Sequence, residues 1–217
     1  MDPTKAIPVL DSAELRVLGS LMEKSRATPD YYPMTVNSLV AACNQKSSRK
    51  PVVNFDEETV VLSLETLKKK GLVSTVTGGS SRSVKYKHNF AVLYPVVPAE
   101  IAIIALLILR GPQTPGELNT NSGRLYEFDS LQEVQSVLER LTVQPETLFL
   151  RQLSRRQGQK EQRFMHLLSG GLEPEEDDSP AEYTTTNHDL EKRLAKVELE
   201  LTQLKESFEK LMKELLG

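Results

Sequence analysis

Basic side chains in three clusters are the residues best suited to chemistry with a partner. Lys46, Arg49 and Lys50 fall within NQKSSRKP, and Arg82, Lys85 and Lys87 within SSRSVKYK. Arg151, Arg155, Arg156, Lys160 and Arg163 form the third cluster. Cations grouped in this way suit phosphate oxygens, which carry most non-specific affinity for nucleic acid and fix register on a duplex. The plain alternative for the two later clusters is an ordinary solvated surface. In the first, the amides of Asn44 and Gln45 beside Lys46 and Arg49 suit a phosphate or a partner carboxylate. An internal hydrogen-bonded plug between two parts of the fold fits them equally.

Catalytic constellations are scarce. There is no GxxxxGK[ST] phosphate loop, no GxGxxG after a strand and no GxSxG elbow. His88, His166 and His188 lie far apart in sequence, and none has a Cys or His at metal-ligand spacing. Cys43 has Lys46 and Arg49 nearby, as a reactive thiolate would need. Its place after Leu39 and Ala42 is more usual for a buried structural thiol. The residues therefore predict a non-enzymatic protein with no cofactor and no metal.

Composition agrees. The 217 residues hold 27 Lys+Arg against 30 Asp+Glu, with 39% apolar side chains and a single cysteine. The longest apolar run, Ile101–Leu109, is far short of the about 20 residues of a membrane span. The opening MDPTKAIPVL lacks the basic-then-apolar pattern of a secretory signal. A cytoplasmic protein is expected. Residues 1–94 carry 13 basic and 9 acidic side chains, and 95–171 carry 8 of each. Residues 172–189 carry 7 acids and no base, so the net acidity is one short segment.

These groups must be positioned by elements that repeat. AELRVLGSLMEK (Ala13–Lys24) and EIAIIALLILR (Glu100–Arg110) read as helices, the first with Leu15, Leu18, Leu21 and Met22 on one face, the second apolar nearly all round. YPMTVNSL and GPQTPGEL follow, with Pro33, Thr35 and Leu39 matching Pro112, Thr114 and Leu118. Thr114, Pro115 and Glu117 have the makings of an N-cap, a first helical position and a capping box. FDEETVVLSLETL then aligns with FDSLQEVQSVLERL, with Asp56 and Asp129 as expected N-caps. Each copy ends in two β-prone runs, turning at Gly78-Gly79 and near Gln157-Gly158. Helix, turn, helix, helix, hairpin is the order of a winged helix-turn-helix domain.

The expected fold is thus mainly α with small β-hairpin wings: two tandem winged-helix domains, 10–94 and 95–171. An acidic linker of low hydrophobicity covers 172–189. Beyond it, Leu190, Leu194, Val197, Leu201, Leu204, Phe208, Leu211 and Leu215 alternate at spacings of four and three, a heptad seam. Residues 190–217 would form a coiled coil with a second copy or another protein, or fold back on their own domain. The third helices temper a DNA reading. One opens Asp56-Glu57-Glu58 and the other carries Glu133 and Glu139, with only Gln132 and Gln135 as candidate base contacts.

ATPDYYPMTVNSLVAACNQKSSRKPV, ALLILRGPQTPGEL, RLYEF and QKEQRFMHLLSG resemble the YceH-like family of bacterial proteins, from about Leu10 to Gly170. The resemblance implies tandem winged-helix domains and implies no activity. It carries over Thr28-Pro29, Tyr32-Pro33, Asn37, Ala42 to Lys46, Arg49 and Pro51-Val52. In the second half it carries Arg110-Gly111, Gln113 to Leu118, Arg124, Tyr126 to Phe128, Arg163 and His166. Asn44, Gln45 and Arg124 are among these motif positions of unknown role. Asn119 and Asn121 depart from a basic pattern after GEL, and Ser154 to Gln157 lack a proline before the turn glycine. The expectation is a dimeric, transcription-regulator-like protein on double-stranded DNA. The alternative is a protein-interaction scaffold using the C-terminal coil.

Overall fold

The structure is a computed structural model, and it describes residues 7–77, 83–143, 148–155 and 161–170. Arg82, Arg156, Lys160, both expected hairpin turns, the acidic segment 172–189 and the heptad leucines lie outside the described residues.

The first half contains α1 (Ser12–Ala27), α2 (Val36–Cys43) and α3 (Glu57–Lys69), then strands β1 (Val73–Val76) and β2 (Lys85–His88). The short helix α4 (Phe90–Leu93) leads into α5 (Pro98–Arg110), α6 (Pro115–Ser122) and α7 (Leu131–Val143), then β3 (Leu150–Gln152) and β4 (Phe164–His166). The molecule is mainly helical with two small antiparallel hairpins, β1–β2 and β3–β4, a layout consistent with winged helices.

Local sequence accounts for most helix starts. The Asp11 side chain accepts from the backbone N–H groups of Ala13 and Glu14, and Glu14 reaches back to the Asp11 N–H at 2.9 Å. Thr35 caps α2 and Asp56 caps α3. Thr114, Pro115 and Glu117 form the capping box read from the sequence. At α7 the expectation shifts by one residue. Ser130, not Asp129, accepts from the Glu133 N–H, while Glu133 takes the Asp129 N–H at 2.9 Å. With a Ser adjacent, the shorter hydroxyl sits where the first turn needs an acceptor.

The repeat extends to details that pattern reading missed. Met34 and Gln113 each precede a capping threonine, and each pairs as a single bridge with the second hairpin strand, at Tyr86 and Phe164. Glu14 and Glu100 are both buried at the third position of their helices. Each draws a base from the third helix region of its half, Lys70 at 2.7 Å and Arg140 at 3.3 Å. His88 and His166 close β2 and β4 at matching register positions, opposite Val73 and Leu150.

The two halves share one core. α5, whose residues Ala99 to Leu109 are all buried, packs against α1, α6, α7 and β4. This is why its sequence is apolar on every face. It packs tightly on α1 at Gly19, where an added Cβ would stand 2.7 Å from Ile108 Cγ2 and 3.0 Å from Leu109 Cδ2. Phe90 of α4 joins the halves again, its ring centroid 5.0 Å from Tyr94 and 5.5 Å from Phe149.

Candidate functional site

Strand register decides what the first hairpin presents. Ser74 pairs with Lys87 and Val76 with Lys85, while Val73 pairs with His88 and Thr75 with Tyr86. Because side chains alternate along a strand, Lys85 and Lys87 share the outer face, and Tyr86 and His88 turn to the core. Lys87 is exposed and Lys85 half-buried. Anchoring is firm beneath them: the His88 N–H donates to the Tyr32 hydroxyl at 2.7 Å, and Met34 and Tyr86 exchange two backbone hydrogen bonds. Burial pushes the Tyr32 phenol up to about 12.

His88 is held neutral. Its Nδ1 accepts from the Phe90 N–H at 3.3 Å, so Nε2 carries the proton toward Ser25 Oγ at 3.1 Å. Burial pushes both His88 and His166 down to about 4. Among the described residues no three His, Cys, Asp or Glu side chains gather as a metal site would require.

On the second hairpin, Arg151 and Arg155 are exposed and Arg163 half-buried. Arg151 lies along Met165, with Nη2 3.5 Å from the sulfur. Exposed Arg155 borders a groove shared with Gln135, Glu139 and Glu161, so acids and a base alternate there. On the third helices, Asp56, Glu57, Glu58 and Glu65 are exposed on α3, as are Gln132, Gln135 and Glu139 on α7.

The loop after α2 is tied down from within. Arg49 is buried, its side chain 0% exposed, and its guanidinium forks onto Glu23 at 3.0 and 2.6 Å. It also donates to the Ser48 and Ala42 carbonyls, both at 3.0 Å. The cation expected to hold a backbone phosphate is thus committed inside the chain, the internal-plug alternative. Burial works to raise the Glu23 carboxyl, but the Arg49 fork outweighs it and holds the group below its ordinary value. Asn44 brackets the far end of the loop, donating to the Phe55 carbonyl at 2.7 Å and accepting its N–H at 2.8 Å. Lys46 and Lys50 remain exposed.

Behind the loop, the buried Arg16 donates to the carbonyls of Cys43 and Pro51. Cys43 is fully buried and burial pushes its thiol up, which suits a structural residue and opposes a thiolate. Neither Arg16 nor Glu23 stood out in the sequence. No local signal marked them: around the helix, Arg16 and Glu23 lie beside Gly19 and Ser20, on the side away from Leu15, Leu18, Leu21 and Met22.

The loop also meets the second half. Arg110, at the end of α5, donates to Ser48 Oγ and to Asn121 Oδ1, each at 2.8 Å. Asn121 in turn donates to Gln113 at 2.8 Å, and the Lys50 N–H donates to the Leu109 carbonyl at 2.9 Å. Ser48 takes φ 61°, the left-handed region that non-glycine residues seldom occupy. Exposed Arg124 stands beside this junction with Gln45 and Lys46, lining a concavity of about 470 Å³.

Residues 10–159 match the family described as "Protein of unknown function, DUF480". A UPF0502 protein of Solibacter usitatus (strain Ellin6076) is 48% identical over 200 residues, covering 92% of this chain and 95% of that protein. Another from Pectobacterium carotovorum subsp. carotovorum (strain PC1) is 40% identical over 210 residues, covering 94% and 98%. A third from Opitutus terrae is 47% identical over 167 residues, covering 76% and 72%. These descriptions state no activity, and they agree with the YceH-like resemblance. The chain belongs to the DUF480/UPF0502 family of bacterial proteins.

Proposed function

We propose that this protein binds double-stranded DNA, in the manner of a transcription regulator, chiefly through its phosphate backbone. The observation that carries the reading is the first hairpin: a twice-repeated helix–helix–helix–hairpin order that sets Lys85 and Lys87 on one outward face. In a winged helix such a strand pair lies along the phosphates while the third helix enters the major groove. Arg155 adds a cation on the second hairpin, and exposed Lys50 one on the loop. The acidic opening of α3 disfavours base reading there, which leaves the hairpin and loop cations to carry the contact. Residues 190–217 would pair two copies and so set the spacing of two half-sites.

The test is anisotropy of a labelled mixed-sequence duplex at two salt concentrations. Each phosphate contact contributes about 0.9 to the slope of log affinity against log salt. Lys85→Ala with Lys87→Ala should lower that slope by about 2. An unchanged slope would overturn the assignment of these residues.

One observation favours a second reading, a scaffold for another protein. α3 presents Asp56, Glu57 and Glu58 to solvent together with Leu62, which is 56% exposed. An acidic rim around an exposed leucine suits a basic protein surface better than DNA. A stable complex lost on removal of residues 190–217, with no duplex binding at low salt, would select this reading.

A further inference from the structure

We propose that the pocket between the Gln45–Ser48 loop and the α5–α6 corner binds a small organic phosphomonoester, with Lys46, Arg110 and Arg124 gripping its phosphate. The inference is independent of whether the hairpins meet DNA. The pocket holds about 470 Å³, within the range of small-molecule sites. One wall comes from α1 and the loop, the other from α5 and α6, so it exists only because the halves share a core.

The charges lining it do not balance. Lys24, Lys46, Arg110 and Arg124 face a single carboxylate, Glu23. Both oxygens of Glu23 are taken by Arg49, and Lys24 stands 3.2 Å from one of them. Among the described residues Lys46 and Arg124 form no ion pair. Half-buried Arg110 bonds only neutral oxygens, those of Ser48 and Asn121. A guanidinium partly removed from water and left on neutral acceptors favours an arriving anion.

Two further features narrow the ligand. Three convergent cations exceed what one carboxylate neutralises and suit a phosphate carrying about −1.5 to −2 charge. Leu106 and Leu125 line the pocket beside the cations, 3% and 8% exposed, which leaves a small apolar edge for an organic body to touch. Thr28, Gln45, Lys46, Arg110 and Arg124, which carry the family resemblance in separate stretches of sequence, converge on this one concavity.

The experiment is calorimetric titration of the full chain with phenyl phosphate and with inorganic phosphate at low salt. Expected is saturable one-site binding, tighter for phenyl phosphate. Lys46→Ala and Arg124→Ala, both at exposed positions, should each weaken it about tenfold or more. Lys69→Ala, on the exposed end of α3, should leave it unchanged. Absence of saturation by about 10 mM, where even a weak millimolar site would fill, would overturn the proposal. So would binding that ignores Lys46→Ala and Arg124→Ala. If those two variants weaken a DNA duplex while phenyl phosphate fails to bind, the pocket belongs to a polynucleotide surface and the small-ligand assignment falls.

Discussion

Replacing Glu23 by Gln tests whether the loop after α2 is held by a buried charge pair. The variant keeps the shape and one acceptor but leaves Arg49, whose side chain is 0% exposed, with no negative partner. Breaking a buried pair from one side costs about 3–5 kcal/mol. Glu23 is itself 12% exposed, and water reaching that edge places the expectation near the lower end, about 3 kcal/mol. The chain has no Trp, so unfolding in urea is followed by circular dichroism. With a slope of about 2 kcal/mol/M, the midpoint should fall by about 1.5 M at constant slope. Glu23→Gln combined with Arg49→Met should cost clearly less than the two single changes added, by about 1 kcal/mol or more. Acid unfolding adds a signature. The Glu23 carboxyl is held below its ordinary 4.5, so its stabilisation is present above that value and lost as pH falls through the lower folded one. Glu23→Gln should flatten that limb. A cost under about 1 kcal/mol with additive double-variant behaviour would mark the pair as a solvated bridge and refute the reasoning.

The buried histidines give a second acid effect in a separate window. His88 and His166 fall from 6.5 to about 4 on folding. Stability should therefore be full above pH 6.5 and decline toward pH 4 by about 3 kcal/mol for each; His88→Gln should remove one share of that decline in pH-dependent urea midpoints. Gly19→Ala should destabilise by about 1–2 kcal/mol, overpacking against Ile108 outweighing the gain in helix propensity, and Ile108→Ala, which removes the Cγ2 the new methyl would strike, should cost less in that background than alone in thermal melts. Thr114→Ala removes the hydroxyl of the α6 capping box and should cost about 1 kcal/mol, read from the same unfolding curves.

Much of the fold was legible because the chain says the same thing twice. Thr114-Pro115-Gly116-Glu117 is a helix start with few competing meanings, and its alignment with Thr35 carries the weaker copy along. What escaped detection was short or long-range. The four residues Phe90–Leu93 make one turn of helix, too few for a periodic signal. The Glu23–Arg49 fork joins residues 26 apart, and nothing local distinguishes Arg49 from its exposed neighbour Lys50. A basic cluster can be counted in a sequence, but which member turns inward is decided by the helix that packs over it. The junction was half legible: Gln45, Arg110 and Arg124 were recognised as motif positions, whereas their convergence needed α1 and α5 to be laid together.

Gly19 has a consequence for how the two halves are joined. By letting α1 and α5 close to van der Waals range, it replaces a tether between the hairpins with a shared spine. Two tethered modules lose freedom when the second one lands, and tolerate a range of spacings. Two arms on one spine have already given up that freedom during folding. The separation of the two hairpins is therefore settled when the core packs, not when a partner arrives.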